Sequence, residues 1–114
     1  MATYTTVRLV APQQLTTSAS AALYTVPSSG TQTIVKQILL SNPTATAATA
    51  SVYLVPSGGS AGNSTAIIGG ITLAANSSLT YDLSQVLNAS DSIRALASVG
   101  TTVTIMASGV EITA

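Results

Sequence analysis

The chain has 114 residues, only 5% of which are charged, and its formal net charge is zero. This length fits one domain, and the charge balance argues against nucleic acid as a partner, because phosphate binding needs clustered Lys and Arg. The sequence contains no Cys and no His, which removes disulfides, thiolate nucleophiles and the commonest general base and metal ligand. We therefore expect a protein that binds or builds, with no metal or cofactor, rather than an enzyme.

Apolar residues alternate with polar ones along much of the chain, which predicts strands and almost no helix. In chain order the predicted strands span residues 3–10, 22–26, 33–41, 50–55, 66–73, 78–83, 92–97 and 101–107. Turn signals rich in Pro, Gly, Asn and Ser separate them. About eight short strands predict an all-β fold, an antiparallel β-sandwich of jelly-roll type. We expect residues 1–14 to form an N-terminal extended strand or arm and residues 15–114 a single sandwich domain.

Two segments depart from regular alternation. Residues 83–87 have the pattern of a helical turn that Ser84 would cap, or of a plain loop. Near the C-terminus, Val103 and Ile105 are odd-numbered, whereas Val110 and Ile112 are even-numbered. Such a change of phase predicts a β-bulge at residues 108–109, where a glycine is present.

The strand at residues 33–41 carries apolar residues on both faces. Val35 and Leu39 share one face with Gln37, and the opposite face is apolar as well. One face of a strand in a monomeric sandwich should contact water. The outer side is therefore covered by another subunit or by the N-terminal segment, or its apolar residues are isolated on an ordinary surface.

The N-terminal segment, residues 2–10, is a candidate for adding a strand to a neighbour's sheet through main-chain hydrogen bonds. Tyrosine is also enriched at subunit contacts. The predicted partner contacts in this segment and in the strand at residues 33–41 are Tyr4, Val7, Leu9, Val35, Gln37 and Leu39.

The sequence offers little catalytic chemistry. The Gly-rich loop at residues 58–64 lacks the lysine and the following helix of a phosphate-binding loop, so a flexible hairpin loop is the better interpretation. Asp82 and Asp91 are candidates for an acid/base pair or, with Asn88 and Ser90, for an oxygen-rich calcium site. We favour a structural role in which Asp91 caps a turn or pairs with Arg94.

Ser and Thr take the place of the missing charges and together supply 34 of the 114 residues. Neutral hydroxyl groups lose less free energy than ions on leaving water, so we interpret this surface as one that other chains cover. No segment has the pattern of a signal peptide, and the apolar stretch at residues 66–75 is shorter than the roughly 20 residues of a membrane helix. The sequence predicts a soluble protein, made in a cytoplasm, without a membrane partner.

Several segments from residue 15 onward resemble those of small β-sandwich virion proteins of tailed bacteriophages. The segments that carry the resemblance are LTT at residues 15–17, LYTVP at 23–27, IVKQILLSN at 34–42, YLVPSGG at 53–59, DL at 82–83, LNASDSI at 87–93 and SGVEI at 108–112. The resemblance implies a structural part of the particle.

What this resemblance implies is a head decoration, or cement, protein that sits as a homotrimer on the capsid, contacts the major capsid protein and stabilises the head. Its location would be the virion, after synthesis in the host bacterial cytoplasm. The alternative is a tail or fibre component, including a module that binds a host receptor or glycan through the loop at residues 56–65. The scarcity of aromatic and charged side chains in that loop argues against ligand binding.

Overall fold

The computed structural model describes residues 3–18, 22–27, 31–62, 64–100 and 102–113. Eight strands follow one another along the chain: β1 Thr3–Gln14, β2 Tyr24–Thr25, β3 Thr31–Asn42, β4 Ala48–Val55, β5 Ala66–Leu73, β6 Ser77–Leu87, β7 Ser92–Ala97 and β8 Thr104–Thr113. No helix occurs within these described ranges. The predicted all-β fold is confirmed.

The strands form two four-stranded antiparallel sheets. The first sheet has the order β1-β8-β3-β6, and the second sheet has the order β2-β7-β4-β5. Successive strands alternate between the two sheets except for the hairpin of β4 and β5. This order is that of a jelly roll. The segment expected as an N-terminal arm is β1, which pairs with the chain's own β8 and forms one edge of the first sheet.

The core lies between the two sheets and consists of aliphatic side chains of moderate size. Its largest fully buried members are Leu15, Ile38, Leu40, Leu73, Ile93 and Ile105, with Val10, Val26, Val35, Val52, Val55 and Val103 around them. In the described parts of the chain every buried side-chain N or O atom has a hydrogen-bond partner. The burial of these side chains is the main stabilising contribution to the fold.

The predicted β-bulge at residues 108–109 is wrong, because β8 continues without a break and both of its neighbours are irregular instead. The register of β1 shifts between Arg8 and Val10, and that of β3 shifts between Val35 and Gln37. The β3 irregularity lies opposite Gly109 and Ser108, and the β1 irregularity lies opposite Ser108 and Ala107. A Cβ atom at Gly109 would collide with the carbonyl oxygen of Ile34, so the close approach of β3 requires glycine.

The helical turn or loop expected at residues 83–87 is also wrong, since this segment belongs to β6. Leu83 and Leu87 face the core, and Ser84 and Val86 are exposed. The register between β3 and β6 shifts at this level, since Val35 pairs with Gln85 and Gln37 pairs with Asp82. Two β6 residues therefore lie opposite the single residue Lys36. The turn signal PSSG at residues 27–30, between the predicted strands 22–26 and 33–41, falls mostly on residues 28–30, which lie outside the described residues.

Asn42, at the end of β3, holds the β3–β4 connection and the end of β5 together. Its side chain is fully buried. The amide nitrogen donates to the carbonyl oxygens of Thr46 (2.8 Å) and Leu73 (3.2 Å). The amide oxygen accepts from the backbone N–H of Thr44 (3.1 Å) and from its hydroxyl group (2.7 Å). The four bonds satisfy this buried amide completely.

Candidate assembly surfaces

The outer edge of β1 presents the first predicted contact residues. Tyr4 is 71% exposed on this strand, so its side chain is accessible to another molecule. Val7 is half-buried and packs against the core. Leu9 is only 6% exposed and belongs to the core itself. The prediction of a partner contact at Leu9 is therefore corrected, because Leu9 is two residues after Val7 and shares its inward face of β1.

The predicted contacts on β3 divide between the two faces of the first sheet. Val35 has no exposed surface and packs in the chain's own core, which corrects its prediction as a partner contact. Gln37 and Leu39 are half-buried and lie on the outer face. The irregularity at Lys36 is the physical reason, since one added residue moves the inward positions from odd to even numbers. It also explains why the sequence shows apolar residues on both faces of this strand.

Two rows of residues cross the outer face of the first sheet from edge to edge. The first, which we call the charged row, runs from Arg8 through Ser108 and Gln37 to Asp82. The Gln37 amide nitrogen donates to Asp82 Oδ1 at 3.1 Å. The row therefore has a cation on one edge of the sheet and a carboxylate on the other.

The second row, which we call the apolar row, runs from Thr6 through Val110 and Ile34 to Val86. Val86 is 55% exposed although it is a large aliphatic residue. Val110 and Ile34 are half-buried between the two edges. The outer face of this sheet thus combines an apolar row with one cation and one anion at its margins.

An apolar groove lies along one side of the sandwich, between β5 and β6, which are edge strands of the two sheets. It has a volume of about 350 Å³ and is lined by Ile67, Ile68, Tyr81, Asp82, Leu83 and Gln85. Ile67 is 41% exposed in it. No cluster of three or more acidic side chains lies in this groove or elsewhere in the described residues. The groove is therefore mainly apolar, with Asp82 and Gln85 as the polar side chains of its lining.

At one end of the sandwich a hydrogen-bonded cluster joins the two sheets. The hydroxyl group of Tyr24, on β2, donates to Glu111 Oε2 on β8 at 2.5 Å and lies 2.9 Å from Thr33 Oγ1 on β3. Burial, and then the hydrogen bond to the Glu111 carboxylate, raise the pKa of Tyr24 from 10.0 to about 12. The phenol stays neutral over the physiological range, and Glu111 uses its carboxylate within the fold.

Asp91 is used by the fold as well. Its Oδ1 accepts the backbone N–H of Ser57 (2.8 Å), and its Oδ2 accepts that of Asn88 (2.9 Å). The expected turn-capping role of Asp91 is confirmed by these bonds. The Gly-rich loop at residues 58–64 connects β4 to β5, as the hairpin interpretation requires; Asn63 lies outside the described residues.

Sequence reasoning predicted β6 only as far as residue 83 and missed that this strand continues to Leu87 and forms an edge of the first sheet. Asp82 was considered for acid/base or metal chemistry, and Val86 was placed in a turn or loop. The signal for the continuation was present, because the apolar residues at 79, 81, 83 and 87 are all odd-numbered, but residues 83–87 were interpreted as a helical turn or a loop. The pairing of strands that are distant in sequence then decides which residues share a row.

No protein-family model and no curated protein sequence matches the chain. Solved structures do share its fold. A protein of the Bacillus endospore appendages, described as a novel family of disulfide-linked pili, is similar over 99% of this chain and 90% of its own, with a TM-score of 0.59 and 18% identity.

Two structures of infectious bursal disease virus also share the fold. The Gx strain matches with a TM-score of 0.52 and 14% identity, and the T13 viral particle with 0.53 and 8%. Each covers 97% of this chain, which spans about a third of their length (31% and 30%). The chain thus has a jelly-roll fold found in components of virus particles and of a bacterial appendage. Within the described residues, no helix is long and apolar enough to cross a membrane.

Proposed function

We propose that this chain is a structural protein of a bacteriophage virion, a capsid decoration protein without enzymatic activity. In this role it forms homotrimers, binds the major capsid protein and bridges neighbouring capsid subunits. It acts in the virion after synthesis in the host bacterial cytoplasm. The observation that carries the proposal is a jelly roll with an almost uncharged exterior.

The charges of the chain support this role by their positions. Among the six, Arg8, Lys36 and Asp82 are exposed, whereas Asp91, Arg94 and Glu111 are half-buried. Large exposed apolar side chains are Tyr4, Ile67, Leu79, Val86 and Val99. Burial of such a surface costs little ionic desolvation and removes apolar area from water.

The mechanism is mechanical, and a modest contact suffices. An apolar contact of about 200 Å² contributes about 5 kcal/mol at 25 cal/mol per Å², before the cost of association is subtracted. Repeated over the capsid lattice, such contacts raise the barrier to separation of the capsid subunits. The decorated head would then withstand internal DNA pressure and heat better than the bare head.

Particles made without this protein provide the test. Electron microscopy of such heads should show missing surface density, and the heads should release DNA at a lower temperature. Addition of the purified protein should restore both properties. Unchanged head density together with unchanged heat resistance would refute the proposal.

The second candidate is a tail or fibre component, which the likeness to an appendage protein over nearly the full length of both chains favours. That appendage protein is described as disulfide-linked, whereas this chain has no cysteine, so its contacts would be noncovalent. In this case the missing density would lie on the tail. If the module bound a receptor or glycan, the isolated protein would also bind host cells.

A further inference from the structure

The two outer strands of the first sheet have complementary directions. In the order β1-β8-β3-β6 each pair is antiparallel, so β1 and β6 run in opposite directions. A second copy placed beside the first in the same orientation therefore presents its β1 antiparallel to β6. Both are long, with 12 and 11 residues, and each has one edge unpaired in the described structure. Such edges are templates for pairing with another chain.

The charged row fixes a register for this pairing. Arg8 and Asp82 lie at its two ends and are both exposed on the outer face. When two copies are joined without a shift along the strands, Arg8 of one protomer lies opposite Asp82 of its partner. Opposite charges facing each other across strands stabilise the pair, whereas like charges destabilise it.

The exposed apolar residues favour the same register independently. With Arg8 opposite Asp82, antiparallel pairing advances by the same number of residues on both strands, so Thr6 of one protomer lies opposite Ser84 of its partner and Tyr4 lies opposite Val86. Residues directly opposite each other have Cβ atoms about 4.5–5.5 Å apart, so an aromatic and an aliphatic side chain contact each other there. Two of the large exposed apolar residues, Tyr4 and Val86, are thereby covered together.

We propose that a second copy of this chain occupies the β6 edge, with its β1 segment 3–8 continuing the first sheet so that Arg8 faces Asp82 and Tyr4 faces Val86. This interface deepens the self-association proposed above and rests on it. The remainder of β1 contains Pro12, which has no backbone N–H to donate, and this limits the pairing to segment 3–8. A head-to-tail contact of this kind closes into a ring, as a trimer requires, if the rotation between copies allows it.

Symmetric alternatives lack this complementarity. Pairing of β1 with a second β1 leaves Arg8 without a carboxylate, since β1 contains no acidic residue. Pairing of β6 with a second β6 leaves Asp82 without a cation, since β6 contains no Lys or Arg. The charge on each edge therefore selects the other edge.

Charge reversal tests the register. Arg8→Asp and Asp82→Arg, each alone, should weaken self-association of the purified protein at least about tenfold in sedimentation equilibrium, and the double variant should recover it. Lys36→Asp is the control for Arg8→Asp, because it also replaces a cation by an anion at an exposed position, but on a central strand of the sheet. Circular dichroism of every variant verifies the fold.

Cysteine pairs give a second readout, because the chain contains no cysteine of its own. A mixture of the Thr6→Cys and Ser84→Cys variants should form disulfide-linked dimers of one variant with the other under mild oxidation. The double variant should form longer linked species or closed rings. Neither single variant alone should cross-link.

The outcomes separate this interface from the proposed function. If the unmodified protein associates but the reversals at 8 and 82 act no more strongly than Lys36→Asp, or if Thr6→Cys cross-links with itself, the interface is wrong while self-association stands. If the unmodified protein does not associate at any concentration, both the interface and the proposed self-association are wrong. Recovery in the double charge reversal together with mixed cross-links establishes the interface.

Discussion

Removal of the Asn42 side chain should destabilise the fold strongly, because this buried amide makes four hydrogen bonds. The variant is Asn42→Ala. Its largest cost arises at the carbonyl oxygen of Leu73, whose bond to Asn42 lies in a buried position. Once Asn42 Oδ1 is gone, the Thr44 hydroxyl is free to donate its proton to the Thr46 oxygen, which lies 3.1 Å away. The Thr44 N–H is only partly buried, so water can replace its partner.

The magnitude follows from these environments. A buried acceptor left without a partner costs about 1–3 kcal/mol, and each lost ordinary hydrogen bond contributes about 0.5–1.5 kcal/mol. We therefore expect a decrease of about 3 kcal/mol in the free energy of unfolding. For a chain of this length, this decrease lowers the Tm by about 12 °C.

Urea denaturation and thermal melting at one fixed protein concentration measure this decrease. Asn88→Ala is the matched control, because Asn88 is exposed and its side chain accepts one exposed hydrogen bond, from Gln32 (3.1 Å). The control should change stability by less than about 0.5 kcal/mol. If Asn42→Ala were as mild as Asn88→Ala, our account of the β3–β4 connection would be wrong.

Three further predictions concern single side chains. The pKa of Tyr24 is raised to about 12, so its neutral phenol should stabilise the fold fully below pH 10, and this contribution should be lost as the pH rises through 12. The Tyr24→Phe variant should not show this loss. The tyrosinate absorbance of the parent minus that of Tyr24→Phe isolates this phenol, and a midpoint near pH 10 in that difference would contradict the prediction. Gly109→Ala should cost at least about 2 kcal/mol, because the added methyl group collides with the Ile34 carbonyl oxygen, whereas Gly62→Ala, in open space, should be mild in the same urea titration. Asp91→Ala should cost about 1–2 kcal/mol, since two backbone N–H groups lose their acceptor; equal melting temperatures of variant and parent would refute this.

The sequence predicted the fold class well, because period-two alternation and turn residues are local signals. The limits of β5 and β7 agree with the prediction, since the segments at residues 66–73 and 92–97 are rich in strand-forming residues and are bounded by clear turn signals. The faces of β3 could not be predicted, because one extra residue at Lys36 inverts every later position. The misplaced bulge has the same cause, since Gly109 marks a close approach of β3 rather than a bulge in its own strand.

The candidate site was predicted only in part. Tyr4 was proposed because it lies in the N-terminal segment that could add a strand to a neighbour's sheet and because tyrosine is enriched at subunit contacts, and its side chain is exposed in the structure. The opposing edge at Asp82 and Val86 was missed, because the charged and apolar rows depend on the order β1-β8-β3-β6. Strand order is a long-range property that alternation within one strand does not contain.

The central claim is that this nearly uncharged exterior is covered by further copies and by the capsid. Sedimentation equilibrium of the purified protein over a wide concentration range tests its first half most directly. Our account predicts a species with the mass of three chains of 11.3 kDa each that dissociates on dilution. A mass of one chain at every concentration would contradict it.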